Sequence, residues 1–148
     1  MNDRNQSTPE ELNALSESVI GVAIEVHREL GPGLAEKVYE EAMCHELQLR
    51  SLKYDRQVPL NVRYKGVSVG DHRLDLVVEG SLVVELKAAE RVADIHLVQL
   101  VSYLRAGKYP LGLLMNFGRT LMKDGIFRRI NSSCLPSSKP LPDSAPLR

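Results

Sequence analysis

The sequence predicts a single α/β domain, a central mixed β-sheet flanked by helices. Three observations carry this expectation. Helix-period apolar patterning fills the first 50 residues and returns near residue 94. Period-two and near-continuous apolar runs occupy 57–87 and 111–115 between and after those helices, and 148 residues is the usual length of one domain. A composition of 43% hydrophobic and 26% charged residues is that of a globular chain with its own core. Cys44 and Cys134 therefore need not act as staples, and a reducing cytoplasm is the expected location. No apolar run approaches the roughly 18 residues that span a bilayer, and residues 1–6 lack the basic and apolar regions of a signal peptide, so membrane and secretory roles are not expected.

Thr8-Pro9-Glu10-Glu11 reads as a capping box with proline in the first turn. Leu12, Leu15, Val19, Ile20, Ala23, Ile24, His27 and Leu30 then follow helical spacing until Gly31-Pro32-Gly33 stops them. A second helix is expected from Leu34 to Arg50. Val58, Leu60 and Val62 alternate with polar residues and predict a strand over 57–64, followed by a turn near Lys65-Gly66. Two richer runs, 73–78 and 82–87, flank Glu79-Gly80-Ser81 and predict a central hairpin. Asp94 is expected to cap a crossover helix to Arg105 closed by Gly107, then come a buried strand at 111–115 and a last strand at 126–130. The segment 131–148 holds four of the eight prolines and few large apolar residues, so it is expected to be a disordered tail after a 1–130 domain.

Charges are unexpected in apolar strands because burying one unpaired is costly, and Asp75, Glu85 and Lys87 are the exceptions. A three-residue loop sets Val78 opposite Leu82 and hence Asp75 opposite Glu85, with Lys87 on the same face. Leu74, Leu76, Val84 and Leu86 are expected on the other face. Two facing carboxylates repel unless a cation lies between them, and a hard divalent ion, Mg²⁺ or Mn²⁺, suits oxygen donors. Such a site suits phosphodiester hydrolysis. The same residues also read as a surface ion pair on half-exposed strands.

Asp75 followed through a hairpin by Glu85-Leu86-Lys87 resembles the core motif of the PD-(D/E)XK nuclease superfamily, a restriction-endonuclease-like fold. Gln99-Leu100-Val101-Ser102-Tyr103 is similar to the QxxxY helix of its exonuclease-type members, and Gln99 and Tyr103 share one helix face. Gly33-Leu34-Ala35-Glu36-Lys37-Val38-Tyr39 resembles GxxExxY, the signature of a family of small, mostly bacterial proteins assigned to that superfamily. The resemblance spans about residues 12–130, from Ala23–Gly33 through Asn116-Phe117-Gly118. It implies a metal-dependent nuclease whose Asp75 and Glu85 hold Mg²⁺ or Mn²⁺, with Glu36 as an outer ligand. Catalysis would then rest on Asp75, Glu85, Lys87, Gln99 and Tyr103.

The expected partner is nucleic acid, DNA or RNA, with Arg73, Arg91 and Arg105 as candidate phosphate contacts. A homodimer is compatible with the sequence. The formal charge is zero, yet residues 51–130 carry thirteen Lys/Arg against eight Asp/Glu, which allows a local basic face. His27, His45, His72 and His96 lack zinc-ligand spacing, and His27 is left as a support for the site from the first helix. Tyr39 reads as a packing residue with a bonded hydroxyl, and Cys44 as a core thiol. The competing reading is a non-catalytic nuclease-fold module that binds nucleic acid or a protein partner.

Overall fold

The computed structural model describes residues 7–135, and its first element is a capped helix. Helix α1 runs Pro9–Leu30. The Thr8 hydroxyl accepts the Glu11 N–H at 3.1 Å, and proline in the first turn costs no hydrogen bond because that N–H has no helical partner. Leu12, Val19, Val22, Ala23 and Val26 form one buried stripe, each large side chain worth roughly 1.5–3 kcal/mol of burial. Gly31 ends the helix at φ 68°, its N–H donating to the His27 carbonyl. Helix α2 (Glu36–Leu49) starts later than expected, after Ala35. Its Tyr39 hydroxyl donates to the Gly31 carbonyl and accepts from the Leu34 N–H, while the ring stacks on Phe117 at 4.5 Å. That one side chain ties the interhelical turn to the core.

Five strands follow: β1 (Tyr54–Tyr64), β2 (Val67–Val78), β3 (Leu82–Lys87), β4 (Leu111–Asn116) and β5 (Ile126–Ile130). They lie in the order β1-β2-β3-β4-β5, and only β3 and β4 run parallel, joined by the crossover helix α3 (Asp94–Gly107). The expected α/β architecture with a mixed sheet is therefore what the chain adopts. Leu76, Val78, Leu82, Val84 and Leu86 pack with α1 and α2 on one face. On the other face Leu60, Leu74, Val77 and Val83 pack with Leu100 and Leu104 of α3. β4 is buried throughout, as a central parallel strand covered on both faces should be.

Several boundaries differ from the sequence reading, each for a local reason. β1 begins earlier than expected, because Tyr54, Asp55 and Arg56 pair with Val78, Val77 and Leu76, and β2 begins earlier because Lys65 (φ 49°) and Gly66 (φ 83°) close a two-residue hairpin that carries the ladder through residues that bury little. Ala93, not Asp94, precedes α3, and the His96 ring nitrogen Nδ1 accepts the Ala93 N–H at 3.3 Å. Lys108 (φ 58°) takes the left-handed position at the end of α3 rather than Gly107, where a Cβ would stand 2.5 Å from the Tyr109 ring. Packing also continues past Ile130: the Asn131 amide donates to the Leu104 carbonyl at 3.2 Å, and Ser132–Cys134 forms a 3₁₀ turn that buries Cys134. The rest of the expected tail, 136–148, lies outside the described residues. No described helix is long and apolar enough to cross a membrane.

The loop after β4 crosses the loop after β3 at van der Waals limits. A Cβ on Gly118 would lie 2.1 Å from the Ala89 carbonyl oxygen. Gly118→Ala should therefore cost about 1–3 kcal/mol by forcing two backbones apart. Urea denaturation checks this, and an unchanged midpoint would contradict the close crossing.

Candidate active site at a fork in the sheet

Glu79-Gly80-Ser81 turns with positive φ at Glu79 (51°) and Gly80 (67°). The loop has the expected odd length, so Val78 pairs with Leu82, Val77 with Val83 and Leu76 with Val84. The β2–β3 ladder goes no further. Continuing its register sets Asp75 against Glu85, but there the Asp75 carboxylate itself accepts the Leu86 N–H, at 2.8 Å. A side chain has replaced the next backbone acceptor, and the two strands part into a fork.

The expectation that Leu74, Leu76, Val84 and Leu86 share a face needs correction at one residue. Leu76, Val84 and Leu86 pack together toward α1 and α2, whereas Leu74 joins Val77 and Val83 under α3. Strand parity holds only in a regular ladder. Here β3 no longer pairs with β2, and Gln57, between the paired positions Arg56 and Val58, sits at φ 53°, so the β1–β2 ribbon is locally distorted beside Asp75.

Glu85 is a buried acid without adequate compensation. It is 8% exposed, its Oε1 has no hydrogen-bond partner, and the nearest cation-capable atom, His72 Nε2, stands 3.6 Å away. Burial, then the charge of Asp75 and a side-chain hydrogen bond to it, push its carboxyl up to about 9. His72 gives little relief, because burial lowers its own pKa and keeps the ring neutral. The ring stacks on Tyr103 of α3 at 4.0 Å, and burial followed by the charge of Glu85 raises the Tyr103 pKa, which keeps the phenol protonated. Lys87, half-buried, lies near enough to Glu85, Glu36 and His72 for its charge to act on each of them.

On the α2 side a cleft of about 500 Å³ is lined by Glu36, Glu40, Arg56, Asp75 and Leu86 among others. Partial burial raises the Glu36 pKa, opposed by Lys87 and reinforced by Asp75, so Glu36 belongs to the same charge system as the fork. Glu40 does not. It is held by Arg56 at 2.8 Å, and the same guanidinium reaches Glu41 at 2.6 Å.

Of the residues singled out from the sequence, Asp75, Glu85, Lys87, Glu36 and Tyr103 thus meet at the fork. Gln99 lies one helical turn before Tyr103 and stays exposed. Arg73 donates to the Gln57 carbonyl at 3.1 Å, while Arg91 and Arg105 are exposed and have no contact with the fork among the described residues. His27 is not at the site; its Nε2 meets the Arg119 carbonyl at 2.8 Å and steadies the loop after β4. Sequence reasoning missed two groups. His72 lacks metal-ligand spacing, although a ring one step before Arg73-Leu74-Asp75 is a signal. Asn116, a fully buried polar residue ending an apolar strand, uses its Oδ1 to accept the Ala89 and Gly118 N–H groups beside Lys87, and its amide nitrogen has no partner.

Among the described residues no three His, Cys, Asp or Glu side chains form a ready-made metal cage. Mg²⁺ does not need one, since it commonly takes one or two carboxylates and keeps waters or substrate phosphate as its other ligands. Two adjoining carboxylates, one with a buried and unpartnered oxygen, fit that chemistry. The single α/β domain with its five-stranded mixed sheet is consistent with a nuclease-like fold. Residues 13–130 match the model of the PD-(D/E)XK nuclease superfamily, and the chain belongs to that superfamily. No curated protein and no solved structure matches it.

The raised Glu85 pKa carries a sign. A carboxyl whose folded pKa lies above its unfolded value stabilises the fold below the unfolded pKa and loses that advantage as pH rises through the folded one. Metal-free wild type should lose stability relative to Glu85→Gln between about pH 5 and pH 9, narrowing or inverting the gap in Tm by roughly 4 °C or more. Parallel melting curves across that window would contradict a buried, strained Glu85.

Proposed function

We propose that the chain is a metal-dependent phosphodiesterase acting on DNA or RNA, and that within its superfamily it is a GxxExxY protein. The observation that carries the first part is the buried Glu85 oxygen without a partner beside the Asp75 carboxylate. Uncompensated carboxylates at a sheet fork are costly for stability, and a bound cation would remove the cost. The second part is supported by the work its three motif residues do together. Gly33 turns the chain at φ 105°, Tyr39 locks that turn, and Glu36 between them joins the electrostatics of Asp75 and Lys87.

On this reading Asp75 and Glu85 hold Mg²⁺ or Mn²⁺, with Glu36 reaching it from α2. The ion, when bound, polarises a phosphoryl oxygen and acidifies a water. Lys87 offsets the negative charge that grows on the phosphoryl oxygens, and it does so from a half-buried position where a charge acts strongly. Tyr103 stays protonated and serves as a donor, its ring orientation fixed by His72. Gln99, one turn away, orients the substrate strand, and Arg73, Arg91 and Arg105 hold flanking phosphates.

Purified protein assayed with Mg²⁺ or Mn²⁺ on single- and double-stranded DNA and RNA tests the reading. Wild type should cleave at least one of these. Lys87→Ala should slow cleavage by about 10²–10³-fold and leave Mn²⁺ affinity within a few-fold, while Asp75→Ala should lose both. A wild type inert on every substrate, or Lys87→Ala as fast as wild type, would replace the enzyme with a non-catalytic binding module.

A further inference from the structure

Upstream of the fork, β1 and β2 leave the sheet as a two-stranded arm. β3 pairs with β2 only at Leu76–Val78, and β1 pairs with β2 alone, so the ribbon formed by residues 59–73 has no strand against either edge among the described residues. Its base is packed, through Leu60 and through His72 stacked on Tyr103. Its tip is bare: Tyr64, Val67 and Val69 are 62%, 61% and 60% exposed. Scattered exposed valines are ordinary, but an exposed tyrosine between two cations is not neutral surface.

The cations of the arm lack the acid partners that some arginines of the chain have. Arg28, Arg50 and Arg56 are each paired with a glutamate. Arg63 instead donates to the Asn61 side-chain oxygen and the Gly66 carbonyl, the Lys65 ammonium lies 5.2 Å from the Tyr64 ring centre, and Arg73 bonds the Gln57 carbonyl. None of the three meets a carboxylate. The one acid of this stretch, Asp71, accepts from the Asn61 amide at 2.9 Å. The arm thus presents uncompensated positive charge and one aromatic ring, the combination that suits a polyanion with flat bases. A strand-adding protein suits it less, because Pro59 lacks an N–H, the ladder is bulged at Val62/Arg63, and charges line the edge.

We infer that this arm is a nucleic-acid grip. Arg63 and Lys65 hold backbone phosphates and Tyr64 lies against a sugar or base of the same strand that the fork engages. The inference rests on the nuclease reading and adds a second contact to it. From Asp75 to Gly66 the arm is about 30 Å long at roughly 3.3 Å per residue, so a substrate must extend several nucleotides from the cut to reach the tip.

The test uses the full chain with Arg63→Ala/Lys65→Ala, and separately Tyr64→Ala. Binding of labelled single-stranded and duplex DNA is followed against salt, with Ca²⁺ in place of Mg²⁺. The double variant should lose about tenfold or more in affinity, and the slope of log K against log salt should fall by about 1.4–1.8, two phosphates' worth. Tyr64→Ala should weaken binding with the slope kept. Hydrolysis of bis(4-nitrophenyl) phosphate, too short to reach the arm, reads the fork alone and should stay at the wild-type rate, as should Tm. Wild-type affinity and slope in the double variant would overturn the grip while leaving the nuclease reading intact. A wild type that neither binds nor cleaves nucleic acid would overturn both.

Discussion

One hydrogen bond organises the functional half of this molecule: the Asp75 carboxylate accepts the Leu86 N–H where continuation of the ladder would have offered the Leu74 carbonyl. A buried N–H must have a partner, so a side chain that supplies one can end strand pairing without leaving an orphan. Everything near the site follows from that substitution. β2 and β3 separate beyond Leu76 and Val84, Leu74 swings under α3, and the upstream part of β2 stays with β1 as a projecting ribbon. The same carboxylate that opens the fork is one of the two acids in it. Structure and candidate chemistry therefore share an atom group, and neither can be altered alone.

The fork is stable only because the rest of the fold over-determines it. Two cores clamp β3 from opposite faces, with Val84 and Leu86 under α1 and α2 and Val83 under α3. Burial of that quality offsets the cost of holding Glu85 away from water beside another carboxyl. The Tyr39–Phe117 stack and the Asn116 side chain do similar work in the loops, fixing the start of α2 and the loops after β3 and β4 around Lys87. A protein that invests packing in keeping charges together at a cleft has its most perturbed groups where function is expected.

Much of this was legible in the sequence, because the signals were local or periodic. The caps of α1, the helical spacing to Leu30, the odd hairpin loop and the facing of Asp75 and Glu85 depend on residues close in the chain. What escaped depended on departures from regularity. Parity assigned Leu74 to the wrong face because it assumes an unbroken ladder, and the ladder breaks one residue later. His72 gains its place from a stack on a helix residue thirty-one positions away, which no spacing rule reports. The full length of the arm leaves no periodic trace because Ser68, Gly70 and Asp71 carry no burial pattern, and hairpin pairing does not need one. Asn131 and Cys134 looked like tail until a buried amide tied them to α3. Gln99, Arg91 and Arg105 lie on exposed surface, where no packing signal sets one polar side chain apart from another.

On the proposed reading Asp75 and Glu85 form a cation site that is under strain in the metal-free protein. Titration calorimetry with Mn²⁺ in two buffers of different ionisation enthalpy tests it most directly, because a carboxyl held protonated must give up its proton when it ligates. Near neutral pH wild type should bind one ion at the fork and release close to one proton, and Glu85→Gln should bind far more weakly with no release. Saturable Mn²⁺ heat that is the same in both proteins, or no saturable heat in wild type, would rule out a cation site at the fork.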